Sequence, residues 1–285
     1  MTDALRPLPS LIIEPVVTAA LGEDLGRAGD LTTDSIVGTD QVNTVRMVAR
    51  ESGVVAGTAC AALAWQRVDP RIAVRFDRSD GARVAPGETI GSATGPTRGL
   101  LTGERVALNF LGHLSGVATG TASIVDAIAH TSARVVDTRK TIPGMRSLQK
   151  YAVRCGGGAN HRFGLDDAVL IKDNHVAAAG GITAAVSRAR AQVGHLVKIE
   201  VEVDTLDQLR ELLDLDVDAV LLDNMGPALL GEAVALVDGR MVTEASGRIT
   251  PETAVGLAET GVDLLSVGWL THSARTLDIG LDWVR

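Results

Sequence analysis

The sequence has few aromatic residues, few cysteines and no surplus of positive charge, and each shortage excludes a class of protein. Phe, Trp and Tyr make up 2% of the 285 residues, and the formal net charge is −8. Nucleic-acid binding requires cations for phosphates and rings for stacked bases, so nucleic acid is not an expected partner. Cys60 and Cys155 lie far apart without His or Cys at metal-ligand spacing, which argues against a zinc site and against a disulfide framework.

The first residues also lack the pattern of an export signal or a membrane span. Residues 11–21 are apolar, but Glu14 and Pro15 interrupt them and no basic run precedes them. A signal peptide has a basic start, and a spanning helix needs about 20 apolar residues. Because 46% of the residues are hydrophobic and 22% are charged, we expect a globular protein that stays in the cytoplasm, away from membranes.

What the sequence does have, after about residue 133, is a repeated alternation of strand-like and helix-like segments. Six runs rich in β-branched residues are predicted strands: residues 134–137, 168–171, 197–203, 219–222, 241–243 and 264–267. Four predicted helices lie between them: residues 182–192, 206–213, 227–237 and 251–259. Thr250 is the expected N-cap of the last helix, with Pro251 at its first position. The pattern predicts βα units on a parallel sheet of fewer than eight strands.

The first part of the chain has a different pattern, typical of an α+β layer. Residues 45–50 and 72–78 alternate like half-buried strands, residues 59–67 form a helix between them, and residues 100–114 form another helix. We place the domain boundary after that helix. The predicted division is an N-terminal α/β sandwich at residues 1–115, a barrel at 116–274, and a tail at 275–285 that packs back on the sandwich.

Polar or glycine residues lie at the end of every one of the six predicted barrel strands. Barrel enzymes build their active sites at these carboxyl ends, where the βα loops converge. The residues are those at 138–140, 172–175, 202, 223–224, 246–247 and 268. Each one alone could mark only the change from strand to loop, but the set of six favours an active site.

Cationic residues are concentrated between residues 139 and 165, and no acid follows until Asp166. The seven residues are Arg139, Lys140, Arg146, Lys150, Arg154, His161 and Arg162. Guanidinium groups pair with carboxylate and phosphate oxygens through two hydrogen bonds, so an anionic ligand is the simplest explanation. The alternative is a solvated basic helix face, although several of these residues lie beside glycines that indicate loops.

Two carboxylates, Glu202 and Asp223, end neighbouring predicted strands and so face a common centre. Beside a polyanionic ligand they suggest Mg²⁺, held directly or through water. They could instead pair with Lys140 and Lys172, and the sequence leaves both possibilities open.

The last two barrel strands lead into small residues that suit a phosphate. Backbone N–H groups can approach a phosphate closely there, as barrels often arrange after their final strands. Either motif alone is weak, because a glycine after a strand usually marks a turn. The two motifs comprise Ser246, Gly247 and Arg248, then Val267, Gly268 and Trp269.

Several motifs, in order along nearly the whole chain, resemble quinolinate phosphoribosyltransferases. They are EDLGRAGDLTT at 23–33, DTRKTIPGMR at 137–146, GGGANHRFGL at 156–165, IKDNH at 171–175, EVEV at 200–203 and LTHS at 270–273. This resemblance implies an α/β fold, with an N-terminal open α/β sandwich and a C-terminal irregular TIM-like α/β barrel of fewer than eight strands. It also implies the conversion of quinolinate and phosphoribosyl pyrophosphate (PRPP) to nicotinate mononucleotide, pyrophosphate and CO₂, in NAD biosynthesis.

The resemblance further implies a ligand for each candidate residue. The two carboxylates of quinolinate would be surrounded by Arg105, Arg139, His161, Arg162 and Lys172. Thr138 and Lys140 would lie between quinolinate and the sugar, while Glu202 and Asp223 would face the ribose hydroxyls and Mg²⁺. The catalytic residues would be Lys140, Glu202 and Asp223.

Residues 246–248 and 267–269 would then hold the 5-phosphate. Arg248 stands where the family more often has a second glycine, and Trp269 where it has a small residue. The family resemblance also implies a homodimer, without fixing further assembly, in which Arg105 is supplied by the neighbouring subunit.

Two other functions stay open at this point. A phosphoribosyltransferase of the same fold could use another substrate, as do nicotinate phosphoribosyltransferases and the homologue encoded with molybdate transport systems. The chain could also be a non-catalytic barrel that senses a phosphorylated metabolite. The arginines near residues 139–162 favour a dicarboxylate, since a monocarboxylate would leave one buried cation without a partner. Lysines and carboxylates in one barrel mouth favour catalysis over sensing.

Overall fold

The computed structural model describes residues 5–284, so residues 1–4 and residue 285 of the predicted domains lie outside it. The helices are α1 Ser10–Leu25, α2 Leu31–Ile36, α3 Thr58–Val68, α4 Thr97–Ala127, α5 Arg146–Cys155, α6 Asp173–Ala179, α7 Ile182–Gln192, α8 Leu206–Leu212, α9 Pro227–Val237, α10 Pro251–Ala258 and α11 Trp269–His272. The strands are β1 Val42–Ala49, β2 Gly53–Val54, β3 Ala73–Phe76, β4 Arg83–Val84, β5 Thr89–Pro96, β6 Arg134–Val136, β7 Val169–Ile171, β8 Ile199–Val203, β9 Ala219–Asp223, β10 Val242–Ser246, β11 Leu264–Ser266 and β12 Ile279–Trp283. Both sandwich and barrel elements are present, and the predicted fold class is confirmed.

The chain divides into two compact units whose segments alternate along the sequence. Unit 1 contains the chain up to Ala122, Thr141–Gly157 and the segment from Leu270 onward, whereas unit 2 contains Ser123–Lys140 and Gly158–Trp269. The boundary between residues 115 and 116 stays a prediction, because compactness does not measure which segments fold independently.

Unit 1 is organised around a four-stranded antiparallel sheet in the order β12-β1-β5-β3. The first and last strands are neighbours, with Val45 opposite Trp283 and Ala49 opposite Ile279. Trp65 of α3 is fully buried, and its indole N–H donates to the Leu100 carbonyl oxygen at 3.0 Å. This bond ties α3 to the start of α4.

Unit 2 contains a six-stranded parallel sheet in the order β6-β11-β10-β9-β8-β7. β6 and β7 are its two edges, and no pairing joins them among residues 5–284, so the barrel is incomplete. The six predicted strands are confirmed in number and order. β10 runs on to Ser246, beyond the predicted end at residue 243, because Glu244 is buried and pairs in register with Leu221 and Leu264.

Helix boundaries in unit 2 follow local capping chemistry. Thr250 accepts a hydrogen bond from the Thr253 N–H and precedes Pro251, which confirms the predicted N-cap of α10. Thr205 caps α8 by accepting from the Gln208 N–H. These caps fix where each loop at the carboxyl end of the sheet turns into a helix.

The helix predicted for residues 100–114 is longer in the structure, running from Thr97 to Ala127 as α4. Gly112 and Gly116 look like breaks in the sequence, but each provides space for another backbone. A Cβ at Gly116 would lie 2.1 Å from the Arg275 carbonyl oxygen. Close packing therefore explains a glycine that propensity alone would place at a helix end. Within the described residues, no helix is both apolar enough and long enough to cross a bilayer.

Candidate active site

A cavity of about 500 Å³ opens at the carboxyl ends of the unit 2 strands. Eight of the predicted site residues line it: Thr138, Arg139, Lys140, His161, Arg162, Lys172, Glu202 and Asp223, with Ser246 as a ninth. They come from the ends of several strands and the loops that follow, as expected for a barrel. The sequence therefore predicted the location and most of the lining of this cavity.

The carboxylates and lysines in the cavity lie beside each other. Lys172, just before α6, forms an ion pair between its Nζ and an oxygen of Glu202 on β8. The alternative that these carboxylates pair with the lysines is thus observed for Glu202. Asp223 ends the neighbouring strand β9, and its Oδ2 accepts a hydrogen bond from Asn224 Nδ2 at 2.5 Å. The cavity therefore contains groups of opposite charge in direct contact.

Arg139 and Arg162 form its cationic region. The Arg162 guanidinium donates to the Ala168 carbonyl oxygen at 2.9 Å, which anchors one of its nitrogens. Burial lowers the pKa of Arg162, and repulsion from Arg139 lowers it further. Two like charges that repel each other favour an anionic ligand between or beside them.

The structure corrects the predicted cationic cluster of residues 139–162. Arg146, Lys150 and Arg154 lie on α5, in unit 1, and do not line this cavity. Lys150 is completely buried. The prediction that all seven cationic residues form one group was therefore wrong. Glycines on both sides of α5 had made the whole stretch resemble a loop.

The predicted phosphate loops lie near the cavity, but only Ser246 of their six residues lines it. Gly247 and Arg248 both have positive φ, 114° and 48°. Arg248 thus adopts the left-handed conformation for which glycine is usually selected, at a cost of roughly 1–2 kcal/mol. The indole N–H of Trp269, which belongs to the second phosphate loop, donates to the Ile249 carbonyl oxygen at 2.8 Å. This bond stabilises the first phosphate loop, which contains Arg248. Trp269 therefore has a structural explanation, whereas nothing in the structure explains Arg248.

Arg105 is the one predicted site residue that lies in unit 1. It is on α4 and lines a different cavity, of about 260 Å³, together with Glu23, Asp24 and His113. Burial lowers the pKa of His113. Its Nε2 lies 2.9 Å from the Gln149 amide.

Sequence reasoning missed two buried acids, Glu200 and Glu244, at the wall of the unit 2 cavity. Glu244 is among the lining residues, and Glu200 lies 2.9 Å from the His161 ring. Successive side chains of a strand alternate between faces, so Glu200 shares a face with Glu202, and Glu244 with Ser246. This alternation, with a period of two residues, was the sequence signal that could have identified Glu200 and Glu244.

The match to known proteins extends over almost the whole chain. Residues 30–115 match the family model described as "Quinolinate phosphoribosyl transferase, N-terminal domain", and residues 117–282 match its C-terminal counterpart. The chain belongs to the quinolinate phosphoribosyltransferase family.

Individual members of this family are similar in sequence and in structure. The nicotinate-nucleotide pyrophosphorylase (carboxylating) of Mycobacterium leprae is 47% identical over 273 residues, covering 93% of this chain and 95% of that protein. Quinolinate phosphoribosyltransferase (decarboxylating) 2b of Nicotiana tabacum is 39% identical, covering 96% and 82%. The structure of the nicotinate-nucleotide pyrophosphorylase from Francisella tularensis has a TM-score of 0.94 and 38% identity, covering 100% of both chains. The predicted resemblance is confirmed.

Proposed function

We propose that this chain transfers the phosphoribosyl group of PRPP to quinolinate and releases pyrophosphate and CO₂, with nicotinate mononucleotide as product. The observation that carries this proposal is the cavity of unit 2, in which arginines, lysines and carboxylates meet in a member of the quinolinate phosphoribosyltransferase family. A dicarboxylate and a polyphosphate together require such a mixture of charges.

In the reaction, a bond forms between the pyridine nitrogen and C1 of PRPP while the bond from C1 to pyrophosphate breaks. Positive charge develops on the ribose ring, as in other glycosyl transfers. Glu202 and Asp223 stabilise that charge, and Lys140 stabilises the departing pyrophosphate. The ring nitrogen of the adduct is cationic and stabilises the electron pair that stays on the adjacent ring carbon when its carboxylate leaves as CO₂, and that carbon then takes up a proton from water.

The cationic region supplies the dicarboxylate site. Arg139 and Arg162 can each bind a carboxylate with two hydrogen bonds, and Lys172 adds a third positive charge. Lys172 exchanges its Glu202 partner for the ligand, while Thr138 lies toward the sugar. The family resemblance also implied that His161 is among the residues around the quinolinate carboxylates.

The residues present fit Mg²⁺. Glu202 and Asp223 offer oxygen ligands from neighbouring strands, and Mg²⁺ uses one or two carboxylates together with water and phosphate oxygens. When bound, the ion would neutralise charge on the pyrophosphate group. The backbone of residues 246–248 and 267–269 would hold the 5-phosphate.

The unit 2 cavity is completed, in this proposal, by the partner subunit's Arg105. Arg105 belongs to unit 1 and is exposed at the mouth of its own cavity. In a two-fold dimer the contact would occur twice, so each subunit would supply one arginine and receive one. The cytoplasmic location stays a prediction from the sequence.

The activity is tested by incubating the purified protein with PRPP, Mg²⁺ and quinolinate. We expect release of pyrophosphate and CO₂ in equal amounts, with formation of nicotinate mononucleotide. With nicotinate in place of quinolinate, we expect little turnover, because one carboxylate would leave part of the cationic region uncompensated. Turnover with nicotinate alone would support the related transferase, and binding without pyrophosphate release would support the sensor.

Glu202→Gln and Asp223→Asn should each lower activity and raise the Mg²⁺ concentration needed for the half-maximal rate. Each change removes one anionic oxygen from a site for a hard cation. The measurement is the initial rate as a function of Mg²⁺ concentration at constant ionic strength.

Asp216→Asn is the matched control, because the Asp216 side chain is 83% exposed and pairs with Arg190. Its Mg²⁺ dependence should equal that of the wild type. An unchanged Mg²⁺ dependence in both site variants would show that these carboxylates contact the sugar or the lysines and not the metal.

A further inference from the structure

Three side chains beside the unit 2 cavity form a cluster, and two of them, the acids Glu200 and Glu244, have no role in the proposed chemistry. Glu200 on β8 is 8% exposed, Glu244 on β10 is 1% exposed, and one ligating atom of each lies within 4.8 Å of the others and of a His161 ring nitrogen. Glu244 Oε1 is buried and has no hydrogen-bond partner among the described residues. A buried acid in this position requires an explanation.

The hydrogen bonds of His161 fix where its proton lies. The Arg162 backbone N–H donates to Nδ1 at 2.7 Å, so Nδ1 carries no proton. Nε2 therefore carries the proton and donates to Glu200 Oε2 at 2.9 Å, with Glu244 Oε2 at 3.5 Å. Both ring nitrogens are thus used within the protein, and neither is left to donate to a substrate carboxylate.

The surroundings of Glu244 favour its neutral form. Burial raises the pKa of Glu244 to about 8, and the nearby charge of Glu200 contributes in the same direction. The neighbouring strands present Leu221 and Leu264 at the same level, and Ser266 adds one hydroxyl group.

Several other charged groups surround this cluster. Asp137 is buried and accepts from the His161 backbone N–H at 2.9 Å and from Asn160 Nδ2 at 2.6 Å. Across the cavity lie the cations Arg139, Lys140, Arg162 and Lys172, and the carboxylates Glu202 and Asp223. None of these carboxylates belongs to the cluster of Glu200, Glu244 and His161.

We propose that Glu244, as a neutral acid, is a positioning residue that donates a hydrogen bond to Glu200. This bond holds Glu200, His161 and Arg162 in one continuous series of hydrogen bonds. The series ends at Arg162, whose guanidinium is fixed at the other side by the Ala168 carbonyl. His161 acts through its neighbours in this arrangement, not as a direct donor to the ligand. The inference rests on the proposed function only for its choice of ligand.

Loss of the Glu244 proton removes the first hydrogen bond of this series. It places two adjacent carboxylates beneath a site for a dianion, which opposes ligand binding. Quinolinate affinity should therefore decrease as the pH rises above neutrality.

The first test is calorimetric titration of quinolinate at pH 7, 8 and 9, with the wild type, Glu244→Gln and Glu259→Gln. Wild-type affinity should fall about tenfold from pH 7 to pH 9, since about one molecule in ten would keep the proton at pH 9. The Glu244→Gln amide donates the same hydrogen bond and has no proton to lose, so its affinity should stay constant. Glu259 is a surface acid, and Glu259→Gln should follow the wild type.

The second test uses thermal unfolding without ligand. The folded-state pKa of Glu244 is raised from 4.5 to about 8, so its contribution to stability is present below about pH 4.5 and is lost as the pH rises through 8. The unfolding midpoint of the wild type should fall by a few degrees relative to Glu244→Gln between pH 6 and pH 9.

The outcomes separate this inference from the proposed function. If the wild type does not bind quinolinate at pH 7, the proposed function fails, and the unfolding experiment still decides where the proton lies. Binding of constant affinity from pH 7 to pH 9 in the wild type would overturn the inference, even if Glu244→Gln did not fold. It would also be overturned if Zn²⁺ raised the unfolding midpoint of the wild type but not of Glu244→Gln, because the cluster would then be a metal site.

Discussion

Lys140→Ala should lower turnover about 10²- to 10³-fold while changing quinolinate affinity by less than about threefold. Lys140 lines the unit 2 cavity with Glu202 and Asp223, and its backbone N–H donates to Thr138 Oγ1 at 3.0 Å. Its ammonium group is proposed to act where charge changes during transfer, so it contributes more to the transition state than to the bound substrate. The measurement is kcat from steady-state rates, together with the quinolinate Kd from titration.

Lys198→Ala is the matched control for this change. Lys198 is 78% exposed and pairs with Asp218 at 2.6 Å, just before β8 begins. Its removal should leave turnover and affinity at their wild-type values. If Lys140→Ala instead weakened quinolinate binding with kcat intact, Lys140 would be a binding residue and its proposed role would be wrong.

A mixture of Arg105→Ala and Lys172→Ala should be active although each variant alone is nearly inactive. Either change leaves the quinolinate carboxylates under-compensated in every site of its own homodimer. In a mixed dimer, one site carries both changes and the other carries neither. Random pairing gives mixed dimers in half of all cases, so about a quarter of wild-type activity should return. The measurement is pyrophosphate release after the two variants are co-expressed or refolded together.

Native mass spectrometry shows whether the mixed dimers form. Arg75→Ala, in place of Arg105→Ala, is the control for the loss of an arginine from unit 1, because Arg75 is 76% exposed and pairs with Asp77. That variant should be active on its own. Mixed dimers that form and yet stay inactive would mean that Arg105 serves its own subunit or has no role in catalysis.

The fold of unit 2 could be predicted because its strands are short β-branched runs separated by helices of clear period. The cavity lining followed from the polar residues after those runs. Glu244 was missed for a physical reason: a charged residue usually ends a strand, and only the protein interior shows that this one is buried and continues it. Its importance depends on Glu200 and His161, which are distant in sequence.

Unit 1 was harder to predict from sequence. Its sheet joins strands from both ends of the chain, and β5 and β12 have no strong alternating pattern to mark them. α4 was predicted to end at residue 114, two residues before Gly116, and a glycine resembles a helix end until the neighbouring backbone at Arg275 is known. Contacts between remote segments, which a local pattern does not contain, decide both cases.

The pairing of β12 with β1 affects how this protein can be synthesised and handled. β1 lies in the interior of its sheet only because β12 covers it, and Arg50 and Asp282 add an ion pair across the junction. On the ribosome, β1 is made early and keeps one open hydrogen-bonding edge until nearly all of the remaining residues have been translated. An open edge of this kind invites pairing with other nascent chains. Neither unit, moreover, is one continuous stretch of polypeptide, so a single unit could be produced alone only by rejoining its segments.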